Sequence, residues 1–207
     1  MFWASRSVVE HADRAGAATM NRRVLFRTAL AAVGAIAVAR PGLSSGLYRD
    51  RPALPGLGPS FRTRVPFPNS YKPGTIVVEP GHHWLYFTID GTTADRYKIS
   101  VGRQGFGWSG QVTVGAKREW PSWRPPASMR TRSPDLPEVV PPGPYNPLGA
   151  RALYLFKDGH DTLYRIHGTN DPGGVGSDGT SGCFRLTNTD IMNLYQRVSV
   201  GTMVIVR

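Results

Sequence analysis

From Pro73 to the C-terminus the chain is a succession of short runs rich in β-branched and aromatic residues, and no other feature restricts its fold as strongly. Glycine, proline and aspartate separate these runs, and Asp90-Gly91 has the composition of a hairpin turn. The predicted strands are Thr75–Glu79, Trp84–Ile89, Arg96–Val101, Gln111–Val114, Ala152–Phe156, Leu163–Ile166 and Met203–Val206. Such a series of short strands predicts a single, mostly β domain.

The sequence predicts a clear helix over Thr187–Val198. Thr187 and Asp190 have the spacing of a capping box at its start. Apolar residues then recur at intervals of three and four, the period of one helix face: Ile191, Leu194, Tyr195 and Val198. We therefore expect a mostly β domain with one or two short helices.

The first 72 residues differ from the rest. The basic segment 21–27 precedes the apolar stretch 28–39, which has the layout of a twin-arginine export signal. The stretch is shorter than the ~20 residues that span a bilayer, so a cleaved signal is favoured over a membrane anchor. Residues 1–19 have no place in such a signal, which makes Met20 the candidate start. Residues 40–72 are rich in Pro, Gly, Ser and Arg and are interpreted as a linker or wrapping arm before a domain at 73–207.

The charge of the chain favours an anionic partner. Lys and Arg total 25 against 14 Asp and Glu, a formal charge of +11 at pH 7. Nucleic acid, an anionic membrane face and a carboxylate-rich polymer such as a cell wall all fit this balance. The basic residues are scattered, without a run or the signature of a known nucleic-acid-binding module, so no nucleic-acid partner is predicted.

A proline-rich segment, residues 120–147, interrupts the predicted strands. It has nine prolines and two tryptophans, too many prolines for a sheet interior and too many aromatic residues for a simple spacer. An ordered loop of this length is either a lid or wall of a cleft, or a surface excursion that covers the core. The sequence leaves both interpretations open.

The glycines at 105–110 match the G-x-G-x-x-G pattern of dinucleotide-binding proteins. A dinucleotide site needs a helix directly afterwards, so that the helix N-terminus meets the pyrophosphate. The residues that follow, Gln111–Val114, form a predicted strand instead. The glycines therefore predict a tight connection between strands, and no cofactor is predicted.

Cys183 is the only cysteine among the 207 residues. Upstream of it, the predicted strand Leu163–Ile166 places His167 at its end. A thiol with a pKa near ~8.5 is mostly protonated at neutral pH and becomes nucleophilic when an imidazole accepts its proton. The pattern therefore indicates His167 as a candidate base for Cys183.

The residues beside Cys183 suit acyl transfer. Gly182 lets a substrate approach the backbone, and the amides of Gly182 and Cys183 are candidate donors to an oxyanion. Arg185 would share a side with Cys183 in an extended stretch, where it could bind a carboxylate or raise the local positive potential. Either role of Arg185 would favour the thiolate.

Other interpretations of these residues remain open. A lone cysteine is most often a small buried apolar residue, and a lone histidine is often structural. One cysteine with scattered histidines lacks the spacing of zinc ligands, so no metal is predicted. The adjacent pair His82-His83 is the one feature that leaves the zinc interpretation open. A single cysteine excludes a disulfide within the chain, and the signatures of serine catalysis do not occur.

His167-Gly168 and the later stretch TSGCFRL (180–186) resemble the active-site motif of the L,D-transpeptidase (YkuD-type) catalytic domain family. The separation of sixteen residues between histidine and cysteine fits as well. Further similar segments are 73–87, 101–126, 146–155 and 164–170, so the resemblance covers about 73–207. Thr180 stands where the family more often has Ser and keeps the hydroxyl, and Ser181 stands where many members have His.

The resemblance implies a small curved sheet or β-sandwich and an enzyme that acts on peptidoglycan stem peptides outside the cytoplasm. Cys183 would attack the carbonyl that joins the diamino acid at position 3 to D-Ala at position 4, and D-Ala would leave as a thioester forms. His167 would be the proton acceptor and then the donor, and Arg185 would orient the substrate or hold the loop. The other expected substrate-binding or oxyanion residues are Gly168, Asn170, Thr180, Ser181 and Gly182. The family implies a periplasmic location, reached here by the twin-arginine route, with membrane contact only through an uncleaved signal.

The acceptor of the acyl group stays open. The side-chain amine of another stem gives a 3–3 cross-link, an amine of an outer-membrane protein attaches that protein to the wall, and water makes a carboxypeptidase. Two rivals come from other classes. One is a non-catalytic wall-binding module, and the other is a different cysteine peptidase, in which Asn170 would have to orient the histidine.

Overall fold

The computed structural model describes residues 56–207. The predicted export signal and the first part of the predicted linker or arm, up to residue 55, lie outside the described residues. Within 56–207, no helix has the length and apolar character needed to cross a membrane.

The described chain is mostly β, as predicted, with two α-helices. The strands are β1 (Thr63–Pro66), β2 (Ile76–Glu79), β3 (Trp84–Thr88), β4 (Thr93–Lys98), β5 (Val101–Gly102), β6 (Gly110–Glu119), β7 (Arg151–Lys157), β8 (His160–His167), β9 (Asp178–Thr180), β10 (Phe184–Arg185) and β11 (Met203–Val206). The helices are α1 (Ala127–Arg132) and α2 (Asn188–Arg197), and single 3-10 turns span Pro80–His82 and Pro172–Gly174.

Nine strands form one sheet in the order β1-β4-β3-β2-β11-β6-β7-β8-β10. Most neighbours are antiparallel, but β2 with β11 and β8 with β10 are parallel. Strands β5 and β9 form a separate parallel pair. Because β8 ends at His167 and β10 begins directly after Cys183, the parallel pairing of these two strands brings both residues to one edge of the sheet.

Helix α2 packs on one face of the sheet, against β7 and β8. Its apolar face, with Ile191 and Leu194 fully buried, joins the main core of residues from nearly all strands. Side chains alternate across a strand, so Val77 points to the opposite face and belongs to a smaller cluster with Tyr86. Phe67 stacks on the Tyr86 ring at 4.4 Å and covers that face.

Most predicted strands are confirmed, with ends shifted by a few residues. The predicted run Arg96–Val101 is wrong as one strand: β4 ends at Lys98, and Val101 belongs to β5. The chain leaves the large sheet here because Val101 pairs with β9. The hairpin at Asp90-Gly91 is confirmed, since Asp90 Oδ1 accepts the Thr92 N–H at 2.8 Å.

The predicted helix is confirmed as α2. Thr187 is its N-cap, and the Thr187 hydroxyl oxygen accepts the N–H of Asp190 at 3.2 Å. At the other end, Lys117 Nζ from β6 donates to the carbonyl oxygen of Tyr195 at 2.7 Å. A cation at the helix C-terminus also suits the helix dipole.

Strand β1 was not expected, because Thr63–Pro66 is mostly exposed and shows no alternation in the sequence. It forms because it pairs with the edge strand β4, and because buried aspartates hold its segment. Asp190 Oδ1 accepts the Ser60 hydroxyl at 2.6 Å, and Asp95 Oδ1 accepts Arg64 Nε–H at 2.5 Å. This part of the segment interpreted as a linker or arm therefore lies along the domain.

Candidate active site

His167 is the last residue of β8, and strands flank it on both sides. Its backbone pairs with Ala152 of β7 and with Arg185 of β10. The side chain is only 6% exposed and lines the same cavity as Cys183. The strand-end position expected from the sequence is thus fixed by the sheet itself.

The tautomer of His167 follows from its neighbour. His167 Nδ1 lies 2.6 Å from the carbonyl oxygen of Gly168. A carbonyl oxygen can only accept a hydrogen bond, so Nδ1 has the proton. The unprotonated nitrogen is therefore Nε2, which can act as a base.

The imidazole of His167 and the thiol of Cys183 are both held in their neutral forms. Burial lowers the pKa of His167 to about 4, and the charges of Arg185 and Arg165 act in the same direction, against the hydrogen bond to Gly168. Burial likewise raises the pKa of the Cys183 thiol, although a hydrogen bond from the Arg165 backbone and the Arg165 charge oppose it. At neutral pH the two groups are therefore a thiol and a neutral imidazole that line one cavity. The charge of Arg185 acts on His167, and the charge of Arg165 is the one that favours the Cys183 thiolate.

The loop before Cys183 is ordered by three hydrogen bonds. Thr180 Oγ1 donates to the Cys183 carbonyl oxygen at 2.6 Å and accepts the Gly182 N–H at 3.2 Å. Trp108 Nε1 donates to the Gly182 carbonyl oxygen at 2.9 Å, and its ring stacks on Tyr164 at 4.8 Å. Both peptide groups that flank Cys183 are therefore held in place.

Gly182 is required by its backbone and by packing. Its φ is +101°, and a Cβ there would lie 2.4 Å from Cε1 of Tyr164. The expected role of Gly182 as an oxyanion donor conflicts with its geometry, since its N–H is already engaged by Thr180. The Cys183 amide is the remaining backbone candidate.

Arg185 contacts the loop that separates His167 from Cys183. Its Nη2 donates to the carbonyl oxygen of Gly174 at 2.9 Å and lies 3.3 Å from Ser100 Oγ. Ser100 is fully buried and also donates to the Gly174 carbonyl, at 2.8 Å. Of the two roles considered for Arg185, these contacts fit the holding of the loop.

Asn188, the first residue of α2, was missed by the sequence analysis. Its Oδ1 accepts the N–H of Ala150 at 2.9 Å and of Thr169 at 3.1 Å, and its Nδ2 donates to the Thr169 carbonyl at 2.8 Å. A Cβ on Gly168 would lie 2.2 Å from this Oδ1, so glycine makes room for the amide. Asn188 thereby fixes the loop directly after His167.

Two further candidates have different positions. Asn170 Nδ2 donates to the Tyr145 carbonyl at 3.1 Å, whereas His167 Nδ1 bonds to Gly168, so Asn170 does not orient the histidine. The Ser181 hydroxyl lines the cavity and is buried, with no hydrogen-bond partner among residues 56–207.

A cavity of about 870 Å³ is lined by five of the predicted site residues: His167, Thr180, Ser181, Cys183 and Arg185. It is lined by Arg103, Phe106, Trp123, Pro126, Ser128, Met129, Arg132, Ser133, Pro147, Leu148, Thr162, Leu163, Tyr164, His167, Gly179, Thr180, Ser181, Cys183 and Arg185. Residues 120–147 supply many of these side chains, so the segment is a wall of a cleft, the first of its two interpretations. We call it the proline-rich wall.

The proline-rich wall is closed by Asn146, which is 1% exposed. Asn146 Nδ2 donates to the carbonyls of Pro121 at 2.8 Å, Pro141 at 3.0 Å and Val140 at 3.1 Å, and its Oδ1 accepts the Leu148 N–H at 2.9 Å. One side chain thus ties both ends of the segment together.

The glycine pattern at 105–110 connects β5 to β6, as predicted, and Phe106 from this connection lines the cavity. Within the described range 56–207, no group of three or more His, Cys, Asp or Glu side chains could hold a metal ion.

A family model described as the L,D-transpeptidase catalytic domain matches residues 73–206. The probable L,D-transpeptidase YbiS of Escherichia coli (strain K12) is 39% identical over 175 residues, which cover 80% of this chain and 53% of that protein. A putative L,D-transpeptidase from the ATP synthase subunits region of Fuscovulum blasticum is 32% identical over 188 residues, 90% of this chain and 97% of that protein. The chain spans about half the length of the Escherichia coli relatives it matches.

The fold has counterparts among solved structures. The crystal structure of L,D-transpeptidase 3 from Mycobacterium tuberculosis matches with a TM-score of 0.50 and 19% identity, over 64% of this chain and 60% of that one. At this identity the match is evidence for the fold.

Proposed function

The chain belongs to the L,D-transpeptidase catalytic domain family, and from that premise we propose that it is a peptidoglycan L,D-transpeptidase with Cys183 as its nucleophile and His167 as its general base. One observation supports this above all. The two side chains line one cavity, and the His167 tautomer leaves Nε2 without a proton.

In the first half-reaction, Cys183 Sγ attacks the carbonyl carbon of the position-3 diamino acid in a stem tetrapeptide. His167 Nε2 takes the thiol proton during the attack, because thiol and imidazole are both neutral at rest. The bond to D-Ala at position 4 then breaks, and the same proton goes to the departing amine. The products are free D-Ala and a thioester on Cys183.

In the second half-reaction, an acceptor amine attacks the thioester and gives its proton to His167. The acyl group passes to the amine, and the thiol is restored. The Cys183 amide would stabilise the oxyanion in both steps, with Thr180 and Trp108 fixing the peptide groups around it. The hydroxyl of Ser181 has no hydrogen-bond partner among residues 56–207 and would bond to the substrate. Gly168, Arg185 and Asn170 would instead act by holding loops.

The acceptor is the side-chain amine of a second stem, which gives a 3–3 cross-link, or an amine of an outer-membrane protein. Water in its place would make the protein an L,D-carboxypeptidase. The apolar side chains of the proline-rich wall, such as Trp123 and Met129, would limit the access of water to the thioester. The enzyme would act in the periplasm after export by the twin-arginine route, through a signal that lies outside the described residues.

Intact-mass spectrometry of residues 40–207 with a disaccharide-tetrapeptide tests the proposal. We expect an acyl adduct, release of D-Ala, and no adduct on the Cys183→Ala protein. A cross-linked dimer among the products would identify a transpeptidase, and a tripeptide alone would identify a carboxypeptidase.

A wall-binding module is distinguished by a second measurement. The wild-type protein should be labelled covalently by a carbapenem, and the Cys183→Ala protein should lose this label while still sedimenting with wall sacculi. Equal labelling of both proteins would contradict the proposed nucleophile.

A further inference from the structure

The cavity is positively charged. Arg103, Arg132 and Arg185 are among its lining residues, and within the described part of the chain no aspartate or glutamate lines it. His167 adds no positive charge near neutral pH, because its pKa is about 4. A cleft lined by one sign of charge attracts ligands of the opposite sign.

The three arginines differ in what they already bind. Arg185 is committed to the loop, through the Gly174 carbonyl and the Ser100 hydroxyl. The other two guanidinium groups, which we call the arginine pair, have no carboxylate partner among residues 56–207.

Arg103 is fixed beside the cysteine loop. Its backbone N–H donates to the Thr180 carbonyl at 3.0 Å. Its guanidinium lies over the Phe106 ring at 4.2 Å. The N–H groups of a guanidinium lie in its plane and point away from a ring on which it stacks. Stacking therefore leaves them able to donate to a ligand.

Arg132 lies in the proline-rich wall, at the last position of α1. The same wall contains Arg124, but Arg124 Nη1 is paired with Glu138 at 3.1 Å. Arg132, by contrast, lines the cavity and has no ion pair with a carboxylate in the described part of the chain.

We propose that the arginine pair binds carboxylates of the donor stem, so that the enzyme prefers stem peptides with free side carboxylates over the same peptides with carboxamides. The inference rests on the proposed function and names the substrate class of that site. A carboxylate can accept two parallel N–H bonds from a guanidinium and neutralises its charge. A carboxamide has no charge, and its NH₂ group cannot accept from arginine.

Two synthetic stem tetrapeptides test the preference. One has free carboxylates on the side positions of its second and third residues, and the other has carboxamides there. Both keep the terminal D-Ala carboxylate. We expect the rate of acyl-enzyme formation per unit donor concentration, followed by intact mass, to be roughly three- to tenfold higher for the free form, because the pair is partly solvated. The ratio should fall as salt is raised.

Substitutions of the two arginines distinguish a loss of the preference for free carboxylates from a general loss of activity. Arg103→Gln and Arg132→Gln should each reduce the ratio, and the double variant should bring it close to one by slowing only the free form. Arg132→Lys should retain part of the preference, because it keeps the charge. Arg130→Gln removes the same charge from the same helix outside the cavity, and it should leave the ratio unchanged.

Each outcome decides one question. Equal rates for both peptides with the wild-type protein, or an unchanged ratio in the double variant, would overturn the role of the arginine pair while acylation still occurs. Failure to acylate with either peptide, together with no carbapenem adduct, would overturn the proposed function instead.

Discussion

Two asparagines hold the two sides of the cavity, and they hold them differently. Asn188 joins helix α2 to the start of β7 and to the loop after His167. Asn146 bonds the carbonyls of Pro121, Val140 and Pro141, all within the proline-rich wall itself. The reactive side is thus tied to the sheet and its helix, whereas the wall is tied mainly to itself.

The wall is the less anchored of the two sides. Its helix α1 has six residues, no buried side chain and no side-chain cap. The reactive residues lie instead beside β8 and β10, which pair within the large sheet. Rigid elements position reacting groups, and loops can change without loss of the fold. We therefore expect acylation to depend on the side that contains His167 and Cys183, and the choice of acceptor to depend on the proline-rich wall.

The largest effect is expected on the reactive side. His167→Gln removes the base and should slow thioester formation by about 10²–10⁴-fold, the usual contribution of general acid-base catalysis. Intact-mass time courses with the tetrapeptide donor measure it, and circular dichroism checks that the fold is kept. A loss below about tenfold would mean that another group takes the thiol proton.

The same histidine predicts the pH dependence of activity and stability. In the proposed mechanism the neutral imidazole is the base, so acylation should persist at pH 5 and fall as pH drops through about 4. An unfolded histidine has its ordinary pKa of 6.5, so protonation favours the unfolded state as pH falls from 6.5 towards about 4. Denaturant titrations should show His167→Gln losing less stability than wild type between pH 7 and 4.5, by about 2–3 kcal/mol.

The two asparagines can be compared directly. Asn188→Ala leaves backbone groups of Ala150 and Thr169 without their partner, and should lower the free energy of unfolding by about 2–4 kcal/mol. It should also slow acylation roughly tenfold, since the loop after His167 loses its support. Denaturant titration and intact mass measure both effects.

Asn146→Ala is the matched variant on the other side. Loss of the Asn146 hydrogen bonds should open the proline-rich wall locally, which is measured as faster hydrogen exchange in this segment. The free energy of global unfolding and the rate of acylation should change less than in Asn188→Ala. Equal slowing of acylation by both variants would break the distinction between the two sides.

A smaller effect is expected at Thr180. Thr180→Val removes the hydrogen bond to the Cys183 carbonyl and should slow acylation by about three- to tenfold, whereas Thr180→Ser keeps the hydroxyl and should stay close to wild type. The rate of carbapenem labelling measures both variants. If Val and Ser behave alike, the hydroxyl does not position the nucleophile.

Much of the fold could be predicted from sequence because local patterns matched the final structure. Short runs rich in β-branched and aromatic residues located most of the strands, and the Thr187 cap with the apolar period that follows it located α2. Strand β1 could not be found this way, because Thr63–Pro66 lacks a pattern of its own and pairs only once β4 is present. Helix α1 has no buried face from which a period could be recognised.

The site divides in a similar way. His167 and Cys183 could be named from the sequence because their residue types and spacing fit a base and a thiol nucleophile, and both line one cavity in the structure. Asn188 and Trp108 were missed, because they act through backbone groups of residues that are distant in the chain. The Gly182 amide was misjudged for the same reason, since its partner Thr180 is set by how the loop folds.

The smallest effect on acylation is expected in the proline-rich wall, where the product should change instead. Met129 is a partly buried side chain of α1 that lines the cavity. Met129→Ser should leave the rate of thioester formation within about twofold and raise the ratio of hydrolysed tripeptide to amine-transfer product, because a polar wall admits water to the thioester. Ala127→Ser adds the same hydroxyl to the same helix outside the cavity, and it should leave the product ratio unaltered. Slower acylation without a change in products would mean that Met129 affects thioester formation rather than the choice of acceptor. The expected difference in role between the two sides of the cavity would then be wrong.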